Sequence, residues 1–276
     1  MIPPIANNFV AGEDVPTALQ HVGDVNDRGV GAILNLLGEH YDERAPADED
    51  AAAYRGLVDD IAASTYDACI SVKPSQLGLD VGEDVFRENL GEIVDHAAEE
   101  DVFVWIDMED HTTTDATLDA FETNVTDYER MGLCVQSNLR RTREDLERLA
   151  ELPGTTRLVK GAYDPPADVA YTETSRIDRA YREDLEYLFE HGDHVAVGSH
   201  DPEMIDHAIA LHQDYGTPFE IQMLMGVREA AQYDLADEYD VSQYVPYGSK
   251  WLSYFYRRIR ERRENLTFAL RAIVSG

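Results

Sequence analysis

Residues 102–110 read VFVWIDMED, an apolar run that ends in acidic residues. A nearly continuous run of β-branched and aromatic residues predicts a strand that is covered on both faces, as in a parallel sheet. In barrels built from such strands, the residues at the carboxyl ends carry the chemistry. Seven further segments have the same character: GAILNLLGE (31–39), ACISVKP (68–74), GLCVQSN (132–138), TRLVKGAY (156–163), HVAVGSH (194–200), FEIQMLMG (219–226) and VSQYVPYG (241–248).

Charged segments with helical periodicity separate these strands. Residues 83–100 place their apolar side chains on one stripe. Residues 112–132 predict a helix that ends at Gly132, since glycine commonly follows the last helical turn. A leading helix is expected within residues 1–29, and a last helix over residues 249–274.

The order of these segments predicts the fold class. Strand and helix alternate eight times without a linker or a low-complexity insert, which is typical of a single (βα)8 TIM-type barrel. We therefore expect one domain over residues 1–276, with the last helix lying over the barrel mouth. An open doubly wound sheet is the competing architecture. It would usually bind a nucleotide at a GxGxxG turn, and this motif is absent from the sequence.

The charge balance restricts the partners. The chain has 55 Asp and Glu against 23 Lys and Arg, a net charge of −32. Such a surface repels nucleic acid and anionic lipid, so we expect no nucleic-acid partner. Only three of the basic residues are lysines, and an acidic, lysine-poor surface indicates solvation in high salt, as in a halophile. With no leader and no apolar run of about 20 residues, a cytoplasmic protein is expected.

Polar residues gather at the predicted strand ends, where a barrel would bring them to one rim. They include two of the three lysines, Lys73 and Lys160. The sequence has neither an HxH cluster for a metal nor a GxSxG or P-loop motif, so we expect no metal site. Either lysine could form a Schiff base, which keeps a class I aldolase-like lyase open. The other residues of this rim are Asp107, Met108, Glu109, Gln136, Arg157, Tyr163, His200, Gln222, Tyr244 and Tyr247.

The stretch YFYRRIRERREN (254–265) concentrates arginine in the last predicted helix. At 100° per residue, Arg257 and Arg258 share a face with Tyr254 and Glu261, whereas Arg260 points elsewhere. Two adjacent guanidinium groups form a receptor for a carboxylate or a phosphate. Two other interpretations remain open at this point, an ordinary surface helix and a barrel that binds an anion without catalysis.

Eight of these segments occur in an order that resembles proline dehydrogenase, the FAD-dependent enzyme of proline catabolism. They are ISVKPSQLGL, VWIDMED, CVQSNLRRT, RLVKGAY, VGSHD, FEIQMLMGV, YVPYG and YFYRRIRER. The resemblance covers nearly the whole chain and implies a (βα)8 barrel whose last helix lines the site. It also implies oxidation of L-proline to 1-pyrroline-5-carboxylate by hydride transfer from C5 to FAD.

The resemblance implies further partners. A quinone or another acceptor would reoxidise the flavin, and this step allows a peripheral contact at the inner face of the membrane. A homo-oligomer is compatible with the same family resemblance.

The resemblance also assigns roles to individual residues. Arg257 and Arg258 would hold the proline carboxylate with Lys73 nearby, and Glu261 would pair with these cations. Proline would be enclosed by Tyr244, Tyr254 and Leu224. Asp107 and Tyr163 would brace the cations, and Asp107 and Arg157 are the catalytic candidates. The residues implied to hold FAD are Met108, Gln136, Arg157, Lys160, Gly161, Ala162, Ser199 and His200.

Overall fold

A computed structural model describes residues 8–252 of the chain. Eight parallel strands close into a barrel in chain order, each strand pairing with the next and β8 pairing with β1. This topology confirms the predicted (βα)8 barrel and excludes the open doubly wound sheet. The strands are β1 (Gly31–Leu36), β2 (Ala68–Val72), β3 (Val104–Ile106), β4 (Met131–Gln136), β5 (Thr155–Val159), β6 (Val195–Gly198), β7 (Phe219–Leu224) and β8 (Asp240–Tyr247).

Helices cover the outside of the barrel and bury their apolar stripes against the strands. A single 3-10 turn, His111–Thr113, follows β3. In the described part of the chain the helices are α1 (Val15–Asn26), α2 (Arg44–Ala62), α3 (Glu83–Glu100), α4 (Thr114–Val125), α5 (Thr142–Leu149), α6 (Thr174–His191), α7 (Pro202–Tyr215) and α8 (Glu229–Ala236).

Three helix predictions differ from the structure or fall outside it. The leading helix begins only at Val15, because Asp14 caps it by accepting the Thr17 backbone N–H at 3.0 Å. Residues 1–7 of the predicted leading segment are outside the described residues. The helix predicted to end at Gly132 ends at Val125, and Gly132 lies within β4. Of the last helix predicted over residues 249–274, the part after residue 252 lies outside the described residues.

All the observed strands except β8 are shorter than the predicted segments, chiefly at their carboxyl ends. For VFVWIDMED the ladder covers only Val104–Ile106, although the Asp107 N–H still donates to the Val72 carbonyl at 2.9 Å. Beyond that bond the chain turns along the rim. The polar residues that end each run therefore lie beyond the last paired residues of the strands, at the rim of the barrel, where their side chains can meet.

The barrel interior holds an apolar cluster of its own, separate from the core beneath the helices. Its buried members are Ile33, Trp105 and Ala196. Gly132 of β4 makes room for the Trp105 ring, since a Cβ at this glycine would lie 2.2 Å from a ring carbon. The glycine that resembles a helix end in the sequence is thus required by the packing of an indole inside the barrel.

Arginines connect neighbouring helices across the acidic outer surface. Arg44 of α2 pairs with Glu88 of α3 at 2.7 Å, and Arg182 of α6 pairs with Glu203 of α7 at 3.0 Å. Arg148 of α5 contacts two carboxylates of α4. Exposed pairs of this kind contribute up to about 1 kcal/mol each. The expected adaptation to high salt stays a prediction. Among residues 8–252, no helix has the length and hydropathy of a membrane span.

The Gly132 position provides a test of the interior packing. Gly132→Ala should destabilise the protein by about 1–3 kcal/mol, because the new methyl group overlaps the Trp105 ring and the strand must shift. The matched control is Gly91→Ala within α3, where a Cβ meets no atom within 4 Å. We expect the control to raise stability by about 0.4–1 kcal/mol. Urea unfolding of both variants at one salt concentration measures the difference, and equal stabilities would contradict the packing argument.

Candidate active site

A cavity of about 670 Å³ lies at the carboxyl ends of the strands, a size typical of cofactor and small-molecule sites. Seven of the eight strands, β2 to β8, supply its walls from their carboxyl-terminal halves or from the residues that follow. Predicted site residues that line it are Lys73, Asp107, Met108, Gln136, Arg157, Lys160, Gly161, Ala162, Tyr163, His200, Leu224 and Tyr244.

Asp107 is the centre of the polar network in this cavity. Its Oδ1 accepts from the Arg157 guanidinium and from the Ser71 hydroxyl, the latter at 2.8 Å. Its Oδ2 accepts from the Tyr244 hydroxyl at 2.6 Å. Burial alone would raise the pKa of this carboxyl, but the Arg157 and Lys73 charges outweigh burial and hold the pKa below its ordinary value. Asp107 is therefore a fixed carboxylate at neutral pH.

Arg157 lies inside the barrel with only 4% of its surface exposed. Its Nη1 donates to Gln222 Oε1 at 3.1 Å, and its Cζ lies 4.8 Å from the Trp105 ring centroid. Because β5 neighbours only β4 and β6, the contacts to Asp107 and Gln222 must cross the interior. Burial opposes the charge, but Asp107 more than compensates and raises the pKa of Arg157. This side chain is a permanent, immobile cation in the cavity wall.

Lys73 is the second buried cation of the cavity. Its Nζ donates to Asn35 Oδ1 at 2.8 Å and lies 4.0 Å from Asp107 Oδ2. The Asn35 amide is itself fixed, since its Nδ2 donates to the Ser71 carbonyl at 2.8 Å. Sequence reasoning missed Asn35. The feature that could have indicated its role is the position of an amide inside the apolar run GAILNLLGE, where burial of an unpaired polar group would be costly.

The wall formed by β4 and β5 includes the turn of residues 160–163, which Gln136 contacts. Gln136 Nε2 donates to the Glu109 carbonyl at 2.8 Å, and its Oε1 accepts from the Ala162 N–H at 3.4 Å. Gly161 has φ +120°, and a Cβ there would lie 2.3 Å from Asn138 Oδ1. A side chain is thus excluded at Gly161 by conformation and by space. The turn exposes bare backbone to the cavity.

Lys160 also reaches the cavity wall, but carboxylates hold its amine. Its Nζ donates to Asp178 Oδ1 at 2.5 Å and to Asp201 Oδ2 at 2.8 Å. Burial lowers the pKa of this amine, yet the two carboxylates together raise the pKa above its ordinary value. A lysine that forms a Schiff base must be neutral when it attacks. The geometry of Lys160 therefore disfavours the lyase alternative.

The predicted Ser199–His200 pair divides into two roles. His200 lines the cavity, and its Nε2 accepts from the Leu224 backbone N–H at 2.8 Å. This bond requires the tautomer with the proton on Nδ1. Ser199 is not among the cavity-lining residues; its Oγ accepts from the Asp201 N–H at 3.1 Å. The serine therefore shapes the turn that presents the histidine.

Several site predictions have other outcomes. Tyr254, Arg257, Arg258 and Glu261 lie outside the described residues, so their predicted face stays a prediction. Cys134, which was not among the predicted site residues, is buried and also lines the cavity. The Ser71 hydroxyl, like the Asn35 amide, was not anticipated as part of the site.

The Asp107 network predicts a pH-dependent stability. Asp107→Asn should lower the free energy of unfolding by about 3–5 kcal/mol at pH 7, because it leaves Arg157 buried without its carboxylate. A lowered folded pKa contributes stability above the unfolded pKa, and this contribution disappears as the pH falls through the folded value. The difference between wild type and variant should therefore shrink below about pH 4.

Denaturant unfolding at several pH values measures this difference. Asp60→Asn is the control, an exposed carboxylate on α2 that should change stability by less than about 0.5 kcal/mol. A constant difference from pH 7 to pH 3 would show that Asp107 does not carry this charge.

Comparison with solved structures supports the barrel assignment. Proline utilization A (PutA) from Bdellovibrio bacteriovorus superposes with a TM-score of 0.85 at 23% sequence identity, covering 92% of this chain and 32% of that one. The corresponding protein from Corynebacterium freiburgense gives a TM-score of 0.81 at 19% identity, covering 96% of this chain and 31% of that one. This chain thus spans about a third of either protein, and at these identities the likeness concerns the fold alone.

Sequence comparison gives the family. Proline dehydrogenase from Deinococcus radiodurans is 37% identical over 284 residues, covering 99% of this chain and 91% of that protein. Proline dehydrogenase 1 from Bacillus subtilis strain 168 is 34% identical over 273 residues, covering 98% and 90%. The family model for proline dehydrogenase matches residues 18–271. The chain therefore belongs to the proline dehydrogenase family, a family of oxidoreductases that act on proline.

Proposed function

We propose that this chain oxidises L-proline to 1-pyrroline-5-carboxylate, with transfer of the C5 hydride to FAD. FAD is the cofactor of proline dehydrogenases and therefore of this family member. The observation that carries the proposal is the pair of buried cations, Arg157 and Lys73, held around one carboxylate at the mouth of the barrel. Such an arrangement suits an anionic substrate and a reaction in which negative charge develops.

The residues of the β4 and β5 wall fit a flavin. At Gly161 no side chain covers the backbone, because a Cβ there would overlap the Asn138 amide. Beside it, Asn138 Oδ1 is buried without a hydrogen-bond partner among the described residues. Planar aromatic rings are commonly bound against such a surface, with a few polar groups to orient them. The residues that would hold FAD are those implied by the resemblance, with Ser199 acting through the turn that carries His200.

The residues of the site then have separate tasks in the reaction. Bound FAD supplies the acceptor for the two electrons of the hydride. Arg157, fixed by Asp107 and Gln222, stabilises negative charge that develops nearby without having to reorient. Lys73 attracts the proline carboxylate together with Arg257 and Arg258. These contacts with the carboxylate would orient C5 towards the flavin and restrict the motion of the substrate.

The substrate must also be in the right protonation state. The ring nitrogen has to release its proton before the lone pair can form the C5=N bond as the hydride leaves C5. The Tyr244 hydroxyl donates a hydrogen bond to Asp107 Oδ2, and the lowered pKa of this carboxyl makes Asp107 a weak base for the proton of the ring nitrogen. Tyr244 and Leu224, with Tyr254, would instead form the walls around the pyrrolidine ring.

The remaining parts of the proposal concern electron flow. We place the enzyme in the cytoplasm and assign reoxidation of FAD to a quinone or a similar acceptor, with a peripheral contact at the inner face of the membrane. A homo-oligomer belongs to the same proposal. Their support is the family resemblance. The acidic surface works against contact with anionic lipid at low salt, where charges are poorly screened.

The cofactor and substrate assignments predict a colour change. Purified protein should be yellow. When L-proline is added under anaerobic conditions, the flavin absorbance should bleach, because the two electrons from proline remain on the cofactor. Anaerobic absorbance spectroscopy measures the effect, with D-proline as the control. A colourless protein that borohydride traps with a carbonyl substrate would instead establish the lyase alternative.

The arginine face of the last helix predicts a selective loss of substrate binding. Arg257→Met should raise KM for proline about 10- to 100-fold, since a charge-assisted contact with a carboxylate contributes about 1.5–3 kcal/mol. FAD should remain bound. Arg260→Met is the matched control, because helical periodicity predicts that this arginine points away from the site face. Steady-state kinetics at constant salt measures both, and an unchanged KM for Arg257→Met would refute the carboxylate assignment.

A further inference from the structure

Glu220 is a carboxylate of the barrel interior for which the reaction described above has no use. It lies on β7 two residues before Gln222, so both side chains project from the same face of the strand. Glu220 Oε1 accepts from Gln222 Nε2 at 2.6 Å, and its Oε2 accepts from the Ser242 hydroxyl of β8 at 3.0 Å. Gln222 itself is 5% exposed. The two side chains form a short relay that ends at Arg157.

This relay has only one consistent orientation of the Gln222 amide. A carboxylate accepts hydrogen bonds and a guanidinium only donates them. With its NH2 group towards Glu220, Gln222 must turn Oε1 towards Arg157, as observed at 3.1 Å. The reverse orientation would place the amide NH2 against the guanidinium and the amide oxygen against the carboxylate. Both contacts would then be repulsive in a buried site.

We propose that Glu220 is a positioning residue for the flavin site: by fixing the amide of Gln222, it holds the Arg157 guanidinium in place. The inference rests on the proposed function, since it assumes that Arg157 serves bound FAD. Glu220 touches neither the cavity nor Arg157 among the contacts described. Its effect travels through one neutral amide.

The Gln222 amide lies between the Glu220 carboxylate and the Arg157 guanidinium, and its neutrality matters. Arg157 already pairs with Asp107, which cancels part of its charge. A second carboxylate in direct contact would cancel more and weaken the field that the cation exerts on the cofactor. Gln222 provides an oxygen acceptor without adding a charge. Glu220 then orients the Gln222 amide without contacting Arg157.

The midpoint potential of the bound flavin separates positioning from a plain charge effect. If Glu220 positions Arg157, Glu220→Ala should shift the potential to more negative values, because the displaced guanidinium stabilises the reduced flavin less well. If Glu220 acted only by its charge, removing a negative charge would shift the potential in the opposite direction. Glu220→Gln keeps an acceptor for the Gln222 amide and should therefore retain the wild-type potential.

The experiment is an anaerobic spectroelectrochemical titration of FAD-reconstituted protein without substrate. Ser242→Ala is the control, since it removes the other partner of Glu220 and leaves Gln222 in place. In stopped-flow mixing with proline, flavin reduction should slow about tenfold in Glu220→Ala, the loss expected for one misoriented hydrogen bond. If Glu220→Ala does not fold, Glu220→Met, which retains the length of the side chain, replaces it.

A second readout needs no cofactor. The Arg157 guanidinium lies over the Trp105 ring, so its displacement should change Trp105 fluorescence in flavin-free protein with Trp251→Phe. The change should occur in Glu220→Ala and be absent in Glu220→Gln. An unchanged potential in Glu220→Ala, or a positive shift shared by both Glu220 variants, overturns the inference. A wild-type protein that proline does not reduce overturns the proposed function instead, and the fluorescence readout still decides whether Glu220 positions Arg157.

Discussion

The buried ion pair between Asp107 and Arg157 is the interaction on which the site depends. Asp107 follows the end of β3 and Arg157 lies on β5, so the pair spans the interior of the closed barrel. Transferring two charges out of water is costly, and the cost is recovered only if every remaining donor and acceptor is satisfied. Here Ser71, Tyr244 and Gln222 complete the set. Because these partners belong to different strands, the network can form only when the barrel has closed in the correct register.

The sequence predicts the architecture well because parallel strands and their helices leave strong periodic signals. It also predicts the cavity wall, since strand ends in a closed barrel share one rim. It does not predict which side chains pair across the interior. Asn35 meets Lys73 only because β1 lies beside β2, and Ser71 meets Asp107 only because β2 lies beside β3. Such contacts depend on register, which an apolar run does not encode.

Gly132 shows a second limit of sequence reasoning. A glycine after a helical stretch is a common end signal, and the local pattern around residues 112–132 supports that interpretation. Its actual cause is the Trp105 ring on the neighbouring strand, pressed against the place where a Cβ would be. Local propensity and tertiary packing both favour glycine, and only the structure shows which one operates. The shared face predicted for Arg257 and Arg258 rests on helical periodicity, and their predicted role rests on the family resemblance.

The partners of the cavity cations differ in a way that bears on function. Lys160 contacts two carboxylates, which leaves it little charge to offer a ligand. Lys73 is held by the neutral amide of Asn35, with the Asp107 carboxylate farther away at 4.0 Å. Arg157 likewise has one carboxylate and one amide oxygen. An amide fixes a cation without neutralising it. In a chain with a net charge of −32, neutral partners are what keep positive charge available to an anion at this site.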